Sequence, residues 1–200
     1  MSVIDKFNSN LISSTEKINI NLRISNIKIS AKTSTNLKIL EQTEKCLTYS
    51  TKQYNILKFD KFTATILGKN SNFLNITGIQ TFEEIFSSLA TFFKFFNEHI
   101  TAHDIETIKI DSISLCFKLK PSLKYYLMQL ATSKFKITKP PRFPGILIRA
   151  KNKSYSVTYF SSGKCIAVGL KNLVECNNVY NEICVLTNDK DLEDLVKNGL

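Results

Sequence analysis

The 200-residue chain has little of what most catalytic, cofactor or membrane sites are built from. It has two histidines, His99 and His103, with only Ala102 and Asp104 as close company and no Cys cluster to complete a metal site. Its six glycines form no phosphate-binding loop. Ser161-Ser162-Gly163-Lys164 is too short for one and lies between strand patterns, not ahead of a helix. Between Ser112 and Val174 there is no Asp or Glu, which removes the usual general acid or base from that stretch. No apolar run is long enough to cross a bilayer, and the opening Met-Ser-Val-Ile-Asp-Lys has no signal-peptide core. The five cysteines are odd in number, include no Cys-x-x-Cys pair and mostly hold apolar positions, as reduced structural thiols of the cytosol or nucleus do. A soluble intracellular protein without enzymatic activity, cofactor or metal is expected.

With 43% hydrophobic residues the chain can bury a core as one domain or two small ones. Its formal charge of +10 is unevenly spread. The stretch without carboxylates holds twelve Lys and Arg, leaving fifteen of the 27 basic residues to face all seventeen acidic ones. A Lys-rich solvated surface would account for some of this. A stretch of that length without a carboxylate favours a polyanionic partner.

Read in order, residues 1–17 form a polar leader. Ile18, Ile20, Leu22 and Ile24 alternate as a strand, and the apolar parity shifts across Ser25-Asn26 before resuming at Ile27, Ile29 and Ala31, the mark of a bulge. Asn36 to Cys46 suits a short helix. Strands are predicted over Tyr54–Phe59, Phe62–Leu67 and Phe73–Thr77, with a turn at Gly68-Lys69-Asn70-Ser71-Asn72. Thr81 to His99 predicts a helix with Phe82, Ile85, Phe86, Leu89, Phe92, Phe93 and Phe96 at helical spacing. The order then recurs. Ile108 to Phe117 repeats Leu22 to Ala31 at a spacing of 86, parity shift included. A helix headed by Pro121-Ser122, strands from Phe143, Tyr155 and Cys165, and a helix over Asn172–Leu186 follow, with Asp189 to Lys197 as a terminal helix. Two copies of a strand-helix-three strands-helix unit are predicted, over 18–104 and 105–200. They join most economically as one antiparallel α+β sheet with its helices on one face.

Arg142 to Lys171 is the most informative stretch. Alternation puts Phe143, Leu147, Arg149, Ser156, Thr158, Phe160, Ile166 and Val168 on one sheet face, and Ile146, Ile148, Val157, Tyr159, Cys165 and Ala167 on the other. The helices can cover only one of the two. On the uncovered face Phe143 and Phe160 either close a second core against a helix or partner protein, or act as wedges that unstack base steps from the minor groove while Lys and Arg take the phosphates.

The run Phe143-Pro144-Gly145, Arg149, Phe160-Ser161-Ser162-Gly163-Lys164 and Gly169-Leu170-Lys171 resembles the second-repeat signature of the TATA-box-binding protein family. The resemblance implies that family's saddle, one curved antiparallel sheet with helices on the convex face. It also implies a transcription initiation factor that binds and bends A·T-rich double-stranded DNA, as a monomer, alongside transcription factors or RNA polymerase. Phe143 and Phe160 then match the intercalating pair, Lys164 and Lys171 the phosphate-contacting lysines, and Arg149 the strand arginine. Thr158, Ile166 and Val168 fall on groove-lining positions. In the first repeat, Tyr54 and Leu67 fall where the other Phe pair is expected, Asn26 matches a groove asparagine, and Thr77-Gly78 resembles Thr-Gly. Ser112 stands in place of a second Asn, Lys28 and Ser114 replace central valines, and Asp60 falls at the first-repeat arginine, where a carboxylate would repel phosphate. The alternative is a saddle-fold protein-interaction module of a transcription complex that has lost TATA recognition. The Lys, Asn and Ile bias points to an A·T-rich genome, and such divergence suits a large DNA virus. That source would place the protein in the nucleus, a cytoplasmic viral factory or the virion.

Overall fold

The computed structural model describes Val3, Phe7 and residues 18–37, 48–50, 53–68, 71–95, 104–119 and 135–187. These residues hold ten strands: β1 (Arg23–Leu37), β2 (Thr48–Ser50), β3 (Tyr54–Lys58), β4 (Thr63–Leu67), β5 (Ser71–Ile79), β6 (Ile105–Lys118), β7 (Phe135–Thr138), β8 (Gly145–Ala150), β9 (Ser156–Phe160) and β10 (Lys164–Leu170). They also hold two helices of more than ten residues, α1 (Glu83–Phe95) and α2 (Leu173–Thr187). The chain divides into two compact units, one comprising Met1–Thr15 and Ser25–Ser112, the other Glu16–Ile24 and Ile113–Leu200. The long strands β1 and β6 each pass from one unit into the other.

In unit one the strand order is β2-β3-β4-β5-β1, continued by the first half of β6. Alternation sends Leu57, Ala64, Ile66, Leu74, Ile76, Ile29 and Ala31 to one face, where all are buried. That face is covered by α1 through Ile85, Leu89, Phe92 and Phe93, spaced three and four residues apart as a helix requires. Phe59 stacks on Phe62 and meets Phe92 and Phe95 edge-on, sealing the end of the sheet against the helix. A capping box starts α1. Glu84 N–H donates to Thr81 Oγ1, and Glu84 Oε2 accepts from the N–H groups of Gln80 and Thr81.

Unit two repeats the plan with β6 (second half)-β10-β9-β8-β7. Its buried face carries Leu115, Phe117, Cys165, Ala167, Val157, Tyr159, Ile146 and Ile148, under Cys176, Val179 and Ile183 of α2. The same cap recurs. Glu175 N–H donates to Asn172 Oδ1, and Glu175 Oε2 accepts from Lys171 N–H.

The ladders of the two units correspond pair for pair. Tyr54↔Leu67 through Lys58↔Thr63 in unit one matches Gly145↔Phe160 through Arg149↔Ser156 in unit two. Thr63↔Thr77 matches Ser156↔Val168, and Lys32↔Phe73 matches Lys118↔Lys164. Each unit also has a register break in the ladder to its long strand, with the extra residue on β5 next to Gly78 (φ 99°) and on β10 next to Gly169 (φ 92°). At both, the left-handed backbone brings Cα close to a facing carbonyl, so a side chain would be strained and crowded.

Several boundaries differ from those read in the sequence. The first strand begins at Arg23, not Ile18: Leu22 N–H donates to the Asn19 carbonyl, making a turn that leaves Ile20 exposed. Leu37, placed at a helix start, is the buried last residue of β1, and the rest of that predicted helix lies outside the described residues. The helix headed by Pro121-Ser122, the terminal helix, the residues 1–17 leader apart from Val3 and Phe7, and His99 and His103 also lie outside them. Strands β2 and β7 were not predicted, because three or four residues carry too little alternation to register as a period.

Candidate nucleic-acid interface

The face of unit two that α2 leaves uncovered is organised in three rows across the strands. The middle row runs Thr138, Leu147, Thr158, Ile166 and Cys116. The next runs Lys136, Arg149, Ser156 and Val168, and the last runs Phe160, Lys164 and Lys118. The hydroxyls and small apolar groups of the middle make a strip without formal charge, with cations beyond it on both sides. This is the facing predicted from alternation, and the cross-strand register brings its residues together.

Two of these pairs are of like charge. Lys118 is directly opposite Lys164, and Lys136 is directly opposite Arg149, all four exposed. Like charges across a ladder are destabilising. Among the described residues of unit two the only carboxylates are Glu175 and Glu182, both on α2. Glu175 serves the cap, and Glu182 binds Lys153 at 2.5 Å and accepts a short hydrogen bond from the buried Tyr155 hydroxyl. Burial, then that hydrogen bond, pushes the Tyr155 phenol up.

The Phe pair stands at one end of the strip. The Phe143 and Phe160 rings are 6.3 Å apart and tilted by 51°, and Phe143 is 37% exposed. Phe143 precedes β8 in a turn closed by its N–H to the Pro140 carbonyl at 3.3 Å, with Arg142 at φ 61°. Pro141 fixes the first central residue of that turn and Arg142 takes the left-handed second, where Gly or Asn is usual. The ring then lies over Gly145. A Cβ there would come within 2.9 Å of Phe143 Cε1 and 2.8 Å of Thr158 Cγ2, so the Phe-Pro-Gly spacing is a packing requirement. Lys171 is exposed just beyond β10, next to the cap of α2.

Unit one's uncovered face differs in charge. On β1, Lys28 lies 3.9 Å from Asp111 and Lys32 lies 2.6 Å from Glu106, while Asp111 also takes Lys109 at 3.7 Å and the Ser30 hydroxyl at 3.1 Å. The basic side chains of β1 are therefore already matched by β6. Asn26 accepts from Gly78 N–H at 2.6 Å through Oδ1, which fixes the amide's orientation and leaves Nδ2 as its donor. Thr77 pairs with Thr63, and its position corresponds to Val168.

The ladders revise two positions read from the sequence. Asp60 does not hold the place of the strand arginine. Lys58 does, being opposite Thr63 as Arg149 is opposite Ser156. Asp60 sits in the β3–β4 turn, lining a 380 Å³ cleft with Lys61, Ser87, Ser88 and Thr91 on the α1 side. Leu67 does correspond to Phe160, but Tyr54 corresponds in register to Gly145, and the counterpart of Phe143 is residue 52, outside the described residues. Lys118, Lys136 and Lys58 were missed because only cross-strand register, not sequence spacing, puts them on these faces.

The match to the family described as "Transcription factor TFIID (or TATA-binding protein, TBP)" covers residues 107–187. A TATA-box-binding protein of Thermococcus celer is 25% identical over an alignment of 186 positions that covers 90% of this chain and 96% of that one. The solved structure of Methanococcus jannaschii TBP superposes with a TM-score of 0.67 over 87% of this chain and 99% of its own, at 20% identity. That likeness shows the fold, an antiparallel sheet with helices on one face.

Proposed function

We propose that the chain is a divergent member of the TATA-box-binding protein family, a transcription factor that binds A·T-rich duplex DNA in the minor groove and bends it, chiefly through unit two. On that reading the chain acts by binding and not by catalysis.

The observation that carries the proposal is the pairing of Lys118 with Lys164 and of Lys136 with Arg149 on either side of an uncharged strip. These pairs cost the free fold stability, and a phosphate near each would relieve that cost. Between them, Leu147, Thr158 and Ile166, with Val168 at the edge of the strip, suit a groove whose A·T pairs present only acceptors and hydrocarbon. The exposed Phe143 ring beside Phe160 supplies the wedge. The kink of about 80° given for this family in general is expected here.

Unit one supports a weaker grip, since its β1 lysines are already in ion pairs. The same ion pairs favour the second reading, a protein-interaction module of a transcription complex without TATA recognition. The deciding experiment is a mobility shift with A·T-rich and G·C-rich duplexes of equal length, plus fluorescence transfer between the duplex ends. Preferential binding of the A·T-rich duplex, with a bend lost in Phe143→Ala/Phe160→Ala, is the expected result. Equal binding of both duplexes, or a bend that survives the double substitution, would replace the proposal with the second reading.

A further inference from the structure

Unit one lacks unit two's Phe-pair geometry, yet it exposes two large apolar side chains, Leu67 and Phe73, at the corresponding place. Tyr54, Leu67 and Phe73 stand side by side on β3, β4 and β5: Tyr54 is opposite Leu67, and the β4–β5 register carried one step past Ile66↔Leu74 puts Leu67 opposite Phe73. Their buried neighbours Asn55, Ile66 and Leu74 point to the α1 side, so all three share the uncovered face. Leu67 is 45% and Phe73 49% exposed, both more open than Phe143.

In unit two the same row is Gly145, Phe160 and Lys164, with the Phe143 ring folded over Gly145. In unit one Tyr54 itself fills the place over which Phe143 reaches, Leu67 replaces Phe160, and Phe73 replaces the lysine. The neighbouring cation, Lys32, is directly opposite Phe73 on β1 and is tied to Glu106. At this position unit one has exchanged a cation for a ring.

We infer that Phe73 is a DNA-contacting residue, the outer member of a three-residue apolar wedge with Tyr54 and Leu67 by which unit one enters the duplex. The inference rests on the DNA reading above. A large ring next to a Leu restores the unstacking surface that Leu67 alone would lack, and it does so without a phosphate contact. Unit one should therefore contribute to bending and little to the salt dependence of binding.

The test measures end-to-end fluorescence transfer and affinity between 50 and 200 mM salt on one A·T-rich duplex. It compares the wild-type chain, Phe73→Ala, Phe73→Lys and, as a unit two control, Phe143→Ala. Phe73→Ala should weaken binding about tenfold and reduce the bend while leaving the salt slope unchanged. Phe73→Lys should steepen the slope by about one without restoring the bend. Both change an exposed side chain, so their thermal melts should match the wild type. A Phe73→Ala protein that bends and binds like the wild type, while Phe143→Ala does not, overturns the inference and leaves the DNA reading standing. A changed slope with an unchanged bend also overturns it. A wild-type chain that neither binds nor bends the duplex removes the DNA reading and this inference together.

Discussion

Lys118 and Lys164 face each other across the β6–β10 ladder, in the same row as Phe160. A fold selected only for stability would place opposite charges, or a charge and a polar group, at such a pair. Lys164→Glu separates the two demands. It converts the like-charge pair into an ion pair, worth a few tenths to about 1 kcal/mol at an exposed ladder position. The melting temperature should rise by about 1–3 °C. Affinity for an A·T-rich duplex should fall at least tenfold at low salt, and the slope of log affinity against log salt should shrink by one to two. A variant that is less stable, or that binds DNA as well as the wild type, would contradict the role given to this pair.

Gly145 and Phe143 are coupled by contact. The absent Cβ leaves room for the ring, and Gly145→Ala would put a methyl within 2.9 Å of Phe143 Cε1 and 2.8 Å of Thr158 Cγ2. One of the two neighbours must move. Phe143, on a turn and 37% exposed, can do so at lower cost than Thr158 within its ladder. The substitution should cost about 1–3 kcal/mol of stability. It should also diminish the DNA bend nearly as much as Phe143→Ala, with the lysines and hence the salt slope unaffected. Denaturant unfolding and fluorescence transfer on the same preparation check both parts.

What the sequence made legible follows its periodicities. The period-2 alternation from Phe143 to Val168 separated the buried from the uncovered residues of unit two, because each strand there is long enough to show it and one face packs on a helix. The Phe stripe of α1 was legible for the same reason at a period of 3.6. Register was not. Whether Lys58 or Asp60 stands in the place of Arg149 depends on the β3–β4 hairpin, whose last pair, Lys58↔Thr63, closes four residues against the six closed by Arg149↔Ser156. An alignment by spacing therefore drifts within the hairpin. Alternation puts Phe73 in a strand and no more, since its place in the proposed wedge comes from Leu67 on one side and Lys32 on the other, neither next to it in sequence. The matching of Lys28 and Lys32 by Asp111 and Glu106 was likewise invisible, joining residues more than 70 positions apart.

The buried thiols give the stability of unit two a pH dependence of defined sign. Cys165 lies in the sheet and Cys176 on α2, both fully buried, and burial is the main cause that pushes each thiol up to about 12 from an ordinary value of 9.0. In the unfolded chain they ionise near that ordinary value. Between about pH 9 and 12 the folded state therefore holds protons that the unfolded state has released, and stability falls as pH rises. Each thiol contributes up to about 1.4 kcal/mol per pH unit in that window and nothing below it. Denaturant midpoints measured from pH 7 to 11 should be flat at first and then decline. Cys165→Ala/Cys176→Ala should start from a lower midpoint, because two buried sulfurs are lost from the core, and should decline less steeply above pH 9. An equally steep decline in the double variant would assign the alkaline loss to the buried Tyr155 phenol, also pushed up, and Tyr155→Phe would then flatten it.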